Sequence, residues 1–176
     1  VPTAWLDVGA GSGASALAVA ARGAERVVLV ERNAASIAIA RKLLRGVVEV
    51  DVQASSLDKA TPVDRAGLVV SAFSFGEMSS PVDALRAIER AAPNAKRTFI
   101  VDAGDRTRAR RIQELRDALV VEGRAIEAPC PHTDPCPALV RARDWCHTRI
   151  AKELPDRLAR FARNVGRDDE AMALSY

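Results

Sequence analysis

The stretch Leu6-Asp7-Val8-Gly9-Ala10-Gly11-Ser12-Gly13 decides how this chain is read. Upstream and within it, Ala4–Val8 has the apolar composition of a buried strand, and Ser15–Arg22 has the small-residue pattern of a helix closed by Gly23. A glycine-rich turn between strand and helix lets backbone N–H groups approach a ligand. Glycine has no Cβ to hold the ligand off, and the helix N-terminus favours negative charge. Glu31 follows Gly9 by 22 residues, at the end of the β-branched run Val27–Val30. A carboxylate there can accept hydrogen bonds from both hydroxyls of a ribose.

Two nucleotide ligands suit this pattern, because Gly9-x-Gly11-x-x-Ala14 also satisfies the dinucleotide fingerprint in its Ala-ended form. Asp7 separates them. An acid two residues before the first Gly opposes a pyrophosphate but suits the α-ammonium of S-adenosylmethionine. Gly-x-Gly-x-Gly with that acid resembles the first motif of class I methyltransferases, and Glu31 resembles their ribose-binding acid. The resemblance implies S-adenosylmethionine held by Asp7, Gly9, Gly11, Gly13 and Glu31. NAD is the rival ligand, and a tight βα turn without ligand the structural alternative.

Working outward, apolar runs alternate with helical patterns. Strands are expected at Val47–Val52, Leu68–Phe73 and Thr98–Val101. Helices are expected from Asn33 as cap through Arg45, from Ser80-Pro81 to about Ala92, and over the basic stretch Thr107–Val121, closed by Gly123. Repeated βα units predict an α/β fold with a mostly parallel sheet. Arg149–Val165 reads as helical, broken or restarted at Pro155, and Leu174-Ser175-Tyr176 reads as the start of another strand. The last strands of the sheet are therefore expected to be missing from the chain. The organisation predicted is a cofactor-binding core over 1–127, a cysteine-rich segment over 128–148, and a helical segment over 149–176 leading into a later core strand.

Composition is compatible with this and excludes other classes. The 176 residues are 48% hydrophobic and 28% charged, which suits one globular domain rather than a disordered or fibrous chain. No run approaches the roughly 18 to 20 apolar residues of a membrane-spanning helix. With only 4% aromatic residues, the core must be built from Val, Leu, Ile and Ala. A net charge of +3 is too mild to announce a nucleic-acid binder.

The chemistry expected at the fourth strand is absent from its tip. Amino-methylating enzymes carry Asn or Asp, two prolines and an aromatic there, whereas this chain reads Ser71-Ala72-Phe73-Ser74-Phe75-Gly76-Glu77. Glu77 is the only candidate base in that segment. No catalytic residue is assigned.

Beyond Gly123 the pattern changes. Pro129-Cys130-Pro131-His132, Pro135-Cys136-Pro137 and Asp144-Trp145-Cys146-His147 gather all 3 cysteines of the chain in a proline-rich stretch with no hydrophobic period. Three thiols cannot close a disulfide framework among themselves, and soft thiolates select zinc or an iron–sulfur cluster. Zinc would take Cys130, Cys136, Cys146 and either His132 or His147. A cubane cluster ordinarily takes four cysteines, one more than are present.

These residues together carry a narrower resemblance. Leu-Asp-Val-Gly-Ala-Gly-Ser-Gly, the Phe-Gly-Glu stretch and Ala-Pro-Cys-Pro-His … Cys-Pro … Asp-Trp-Cys-His resemble the methyltransferase-like proteins of the mitochondrial ribosomal small subunit, which have bacterial relatives. The resemblance covers nearly the whole chain. It implies a class I methyltransferase (Rossmann-like) fold with a cysteine-rich insertion after the fifth strand, an iron–sulfur cluster on Cys130, Cys136 and Cys146, and a later cysteine as fourth ligand. It also implies a role in small-subunit structure or assembly among ribosomal RNA and ribosomal proteins. The location implied is the mitochondrial matrix, or the bacterial cytoplasm for a bacterial relative. An active RNA or small-molecule methyltransferase with structural zinc is the alternative.

By spacing alone two arginine sets read as solvated faces; with the resemblance they are expected to contact RNA. Arg106, Arg108, Arg110, Arg111 and Arg116 crowd one helix, while Arg157, Arg160, Arg163 and Arg167 recur at helical spacing.

Overall fold

The computed structural model describes residues 4–78, 80–151, 155–164 and 171–176. Contacts divide the chain into two compact units, Val1–Val101 and Asp102–Tyr176.

In the first unit, strands β1 (Ala4–Val8), β2 (Arg26–Val30), β3 (Glu49–Gln53), β4 (Ala66–Ala72) and β5 (Arg97–Ala103, which runs on into the second unit) lie in the order β3-β2-β1-β4-β5, all parallel. Val27, Val28, Leu29 and Val30 are all buried, as expected for a strand covered on both faces. Helices α1 (Ala14–Ala20), α2 (Ala34–Leu44) and α3 (Pro81–Ala91) supply the crossovers. Asn33 caps α2 by accepting from the Ser36 N–H at 3.0 Å, and Ser80 with Pro81 opens α3 as the sequence predicts. Small side chains let α1 and α2 approach closely: Ala16, Ala40 and Leu44 share one core with Val27 and Leu29.

In the second unit, α4 (Arg106–Val121) is capped by Asp105, whose side chain accepts from the Thr107 and Arg108 N–H groups. An irregular stretch leads to β6 (Thr148–Ala151), then α5 (Asp156–Asn164) and β7 (Ala171–Ser175). The end of β5 pairs antiparallel with β7, and β7 antiparallel with β6. The sheet thus has seven strands in the order β3-β2-β1-β4-β5-β7-β6.

Two expectations are corrected here. The last strands are not missing, since β6 and β7 complete the sheet. Arg149–Val165 is helical only in part: Arg149–Ala151 belongs to the strand Thr148–Ala151, while α5 starts directly after Pro155, where the sequence reading allows a restart. Four residues are too few for periodicity to separate strand from helix. Residue 167, the last of the second arginine set, lies outside the described residues. No helix among the described residues is long and apolar enough to cross a membrane.

Candidate functional site

The glycine loop sits at the carboxyl end of β1. Its Gly9 and Ala10 N–H groups donate to the Val30 carbonyl at 2.9 and 3.3 Å, tying the loop to the tip of β2. Gly9, Gly11 and Gly13 all have positive φ, at 66°, 53° and 84°, but their surroundings differ. A Cβ on Gly9 would stand 2.4 Å from the Ser74 Cβ, and one on Gly13 would stand 3.0 Å from the Ala40 Cβ. A Cβ on Gly11 would meet nothing nearer than the Gly9 carbonyl oxygen at 4.0 Å. Gly9 and Gly13 therefore serve packing, and Gly11 alone borders open space.

The acids bracket that space. Glu31 accepts from the Gly11 N–H at 2.9 Å and from the Asn33 N–H at 2.7 Å, so its carboxylate is fixed beside the loop. Asp7 is 2% exposed and accepts from the Ser15 hydroxyl at 2.5 Å through Oδ2, while its buried Oδ1 has no partner among the described residues. Burial pushes the Asp7 carboxyl up to about 6; the Ser15 and Ala16 hydrogen bonds oppose this, and the charge of Glu31 adds to it. A buried carboxylate with one oxygen unused is suited to a cationic donor. These residues fit the ammonium and ribose of S-adenosylmethionine.

The cysteine segment belongs to the second unit. Cys130, Cys136 and Cys146 line one cavity of about 140 Å³ together with His132, His147, Gln113 and Arg116. Partial desolvation and the neighbouring Cys130 and Cys136 sulfurs push the Cys146 thiol up. Among the described residues, no three His, Cys, Asp or Glu side chains stand where they could hold a single metal ion.

Helix α4 orders this segment, which the sequence reasoning missed. Arg110 donates to the carbonyls of Arg141 and Asp144 at 3.0 and 2.8 Å. Arg116, buried, donates to the carbonyls of Asp134 and Cys130 at 2.6 and 3.3 Å and to that of His132. The Cys136 N–H donates to the Asp117 carboxylate at 2.9 Å, and the Gln113 amide donates to the Cys146 carbonyl at 2.9 Å. Trp145 stacks on His147 at 5.8 Å between centroids and donates its indole N–H to the Gly104 carbonyl. The expected RNA-facing set on this helix is corrected accordingly: Arg110 and Arg116 are occupied by the loop's own carbonyls. The signal available in the sequence was the spacing of 110, 113, 116 and 117, which falls on one helical face.

The profile of the family described as the mitochondrial small ribosomal subunit protein Rsm22 matches residues 1–174. This chain belongs to the Rsm22 family. It is 27% identical over 158 residues to the human mitochondrial ribosome assembly protein METTL17, a match covering 78% of this chain and 34% of that protein. The chain thus spans about a third of the length of this curated relative. Among solved structures, the YcgJ protein of Bacillus subtilis superposes with a TM-score of 0.50 at 20% identity, over 67% of this chain and 52% of that one. A SAM-dependent methyltransferase from Aquifex aeolicus gives 0.49 at 23% identity, over 58% and 57%. The α/β methyltransferase fold read from the glycine loop is the fold of this Rsm22-family chain.

Proposed function

We propose that this chain is the methyltransferase-fold portion of a mitochondrial small-subunit assembly protein that binds ribosomal RNA and ribosomal proteins, takes S-adenosylmethionine at the glycine loop and carries an iron–sulfur cluster on Cys130, Cys136 and Cys146. The family match over residues 1–174 carries the ribosomal part of this reading.

The cofactor part rests on the empty side of Gly11, the unused Oδ1 of Asp7 and the fixed carboxylate of Glu31. When bound, the sulfonium would supply an activated methyl group. The chain's own contribution is binding: Asp7 meets the ammonium, Glu31 the ribose, and Gly11 leaves room for the ligand. The tip of β4 offers Ser71, Ala72, Phe73 and Ser74, none of which titrates near neutrality. Catalysis is therefore not part of the proposal.

The cluster part rests on three soft donors lining one cavity whose backbone is held from outside by α4. Zinc on the same three thiols, completed by His132 or His147, is the alternative.

The RNA part rests on the exposed Arg157, Arg160 and Arg163 of α5, spaced to follow phosphates along one helical stripe. The test is binding of the full chain to small-subunit RNA across a salt series. Affinity that falls linearly with log salt supports the reading, and absence of binding at low salt overturns it.

A further inference from the structure

Arg116 donates through all but one of its N–H groups to acceptors in and around the cysteine segment. A guanidinium carries five N–H donors and no acceptor. The two on Nη1 serve the Asp134 carbonyl at 2.6 Å and the Asp117 carboxylate at 2.8 Å, and the two on Nη2 serve the Cys130 carbonyl at 3.3 Å and the His132 carbonyl. The remaining donor, on Nε, is buried and has no partner among the described residues, in a side chain only 8% exposed. A buried N–H without an acceptor is costly, the more so on a group that is always charged, and in a native fold it asks for a reason.

The cavity that Arg116 lines gives one. Cys130, Cys136 and Cys146 line the same space of about 140 Å³. Bound to metal, their sulfurs are thiolates and accept hydrogen bonds as anions. Gln113 is the other residue of this lining with an unpartnered buried atom, but that atom, Oε1, is an acceptor, and the amide nitrogen is already turned to the Cys146 carbonyl. Only the guanidinium matches an anion. Its terminal hydrogen bonds fix its plane, so the direction of the Nε–H is set by the fold before any ligand arrives. Arg110 makes the comparison: it donates to the Arg141 and Asp144 carbonyls of the same segment but does not line the cavity.

We propose that the Arg116 Nε–H donates to a metal-bound sulfur of the iron–sulfur centre and that its charge raises the reduction potential of that centre, an inference that rests on the cluster reading above. An electron added to a thiolate-ligated cluster increases its negative charge. A fixed cationic donor in a wall poor in water therefore stabilises the reduced form more than the oxidised one.

The probe is the full chain, purified anaerobically with its cluster from cells fed arginine labelled with heavy nitrogen. The readouts are pulsed EPR of the reduced cluster and a redox titration, neither of which a merely structural arginine would move. Wild type should show hyperfine coupling to a labelled arginine nitrogen. Arg110→Gln should keep that coupling and the wild-type potential, although it loosens the same segment. Arg116→Gln should lose the coupling and titrate at a lower potential. Arg116→Lys, which keeps the charge without the Nε–H, should lose the coupling and titrate between the two. A wild-type cluster without arginine coupling overturns the proposal, as does coupling that Arg110→Gln abolishes, or an Arg116→Gln cluster of unchanged potential. Where Arg116→Gln retains no cluster, the coupling decides alone: its presence in both wild type and Arg110→Gln supports the proposal, and its absence from either overturns it. Wild type that carries no cluster overturns the cluster reading itself, and this inference with it.

Discussion

The Arg116 guanidinium donates to the Cys130 carbonyl at 3.3 Å from within the surface of α4, where that arginine is only 8% exposed. A charge that counts as basic surface in the sequence is thus spent inside the chain, holding the backbone from which the first cysteine projects. The same guanidinium reaches Asp134 and His132 and pairs with Asp117, which itself accepts from the Cys136 N–H.

This arrangement predicts that the cysteine segment depends on α4 as well as on any metal. Arg116→Ala strands the Cys130, His132 and Asp134 carbonyls, at a cost of about 3 kcal/mol or more. Hydrogen exchange should accelerate over residues 128–147 while β1–β4 remain protected. Equal protection of that segment in wild type and variant would show that the arginine is not what orders it.

Removing a thiol tests the metal centre. Anaerobically purified full chain should be brown, and Cys136→Ser should lose both colour and thermal stability. Colourless protein with one zinc per chain would exclude the cluster and leave a metal site.

Asp7 predicts a pH dependence whose sign follows from its raised pKa. The folded chain keeps the proton up to about 6, whereas the unfolded chain releases it near 3.8, so stability from this group is greatest below about pH 4 and falls as pH rises through 6. At about 1.4 kcal/mol per pH unit the loss amounts to about 3 kcal/mol by neutrality. Asp7→Asn should therefore raise the neutral-pH melting temperature and flatten the profile between pH 4 and 6, measured by thermal unfolding. The same variant should lose stabilisation by S-adenosylmethionine. In wild type that stabilisation should weaken as pH falls below 6.

Gly9 and Gly11 should separate in one experiment. Gly9→Ala forces a Cβ against Ser74 at 2.4 Å and should destabilise the fold by about 2 kcal/mol or more. The Cβ of Gly11→Val meets nothing nearer than the Gly9 carbonyl oxygen at 4.0 Å, so its stability loss should reflect chiefly the positive φ, while binding of S-adenosylmethionine should vanish. Calorimetric titration beside thermal unfolding distinguishes the two.

On α5, replacing Arg157 and Arg160 with Gln should weaken RNA binding about equally across sequences. It should also make the salt slope shallower by roughly one unit per lost phosphate contact. An unchanged slope would mark these arginines as solvated surface.

The order of βα units, the glycine loop and the placing of Glu31 were legible in the sequence by itself. Each depends on neighbours within a few residues: β-branched runs, a capping Asn33 or Ser80, and glycines where the backbone turns. Only the tertiary structure decided the rest. A strand was legible at Leu174, but that Thr148–Ala151 is also a strand, paired with β7 while β7 pairs with the end of β5, was not, because nothing local announces a partner so distant in sequence. Arg116 reads the same on paper whether it meets phosphate, water or the Cys130 carbonyl. Which of these it meets depends on where the following segment folds back against α4. Phe73 shows the same limit, because an aromatic after an apolar strand reads as core until the loop that locks its backbone turns the ring outward.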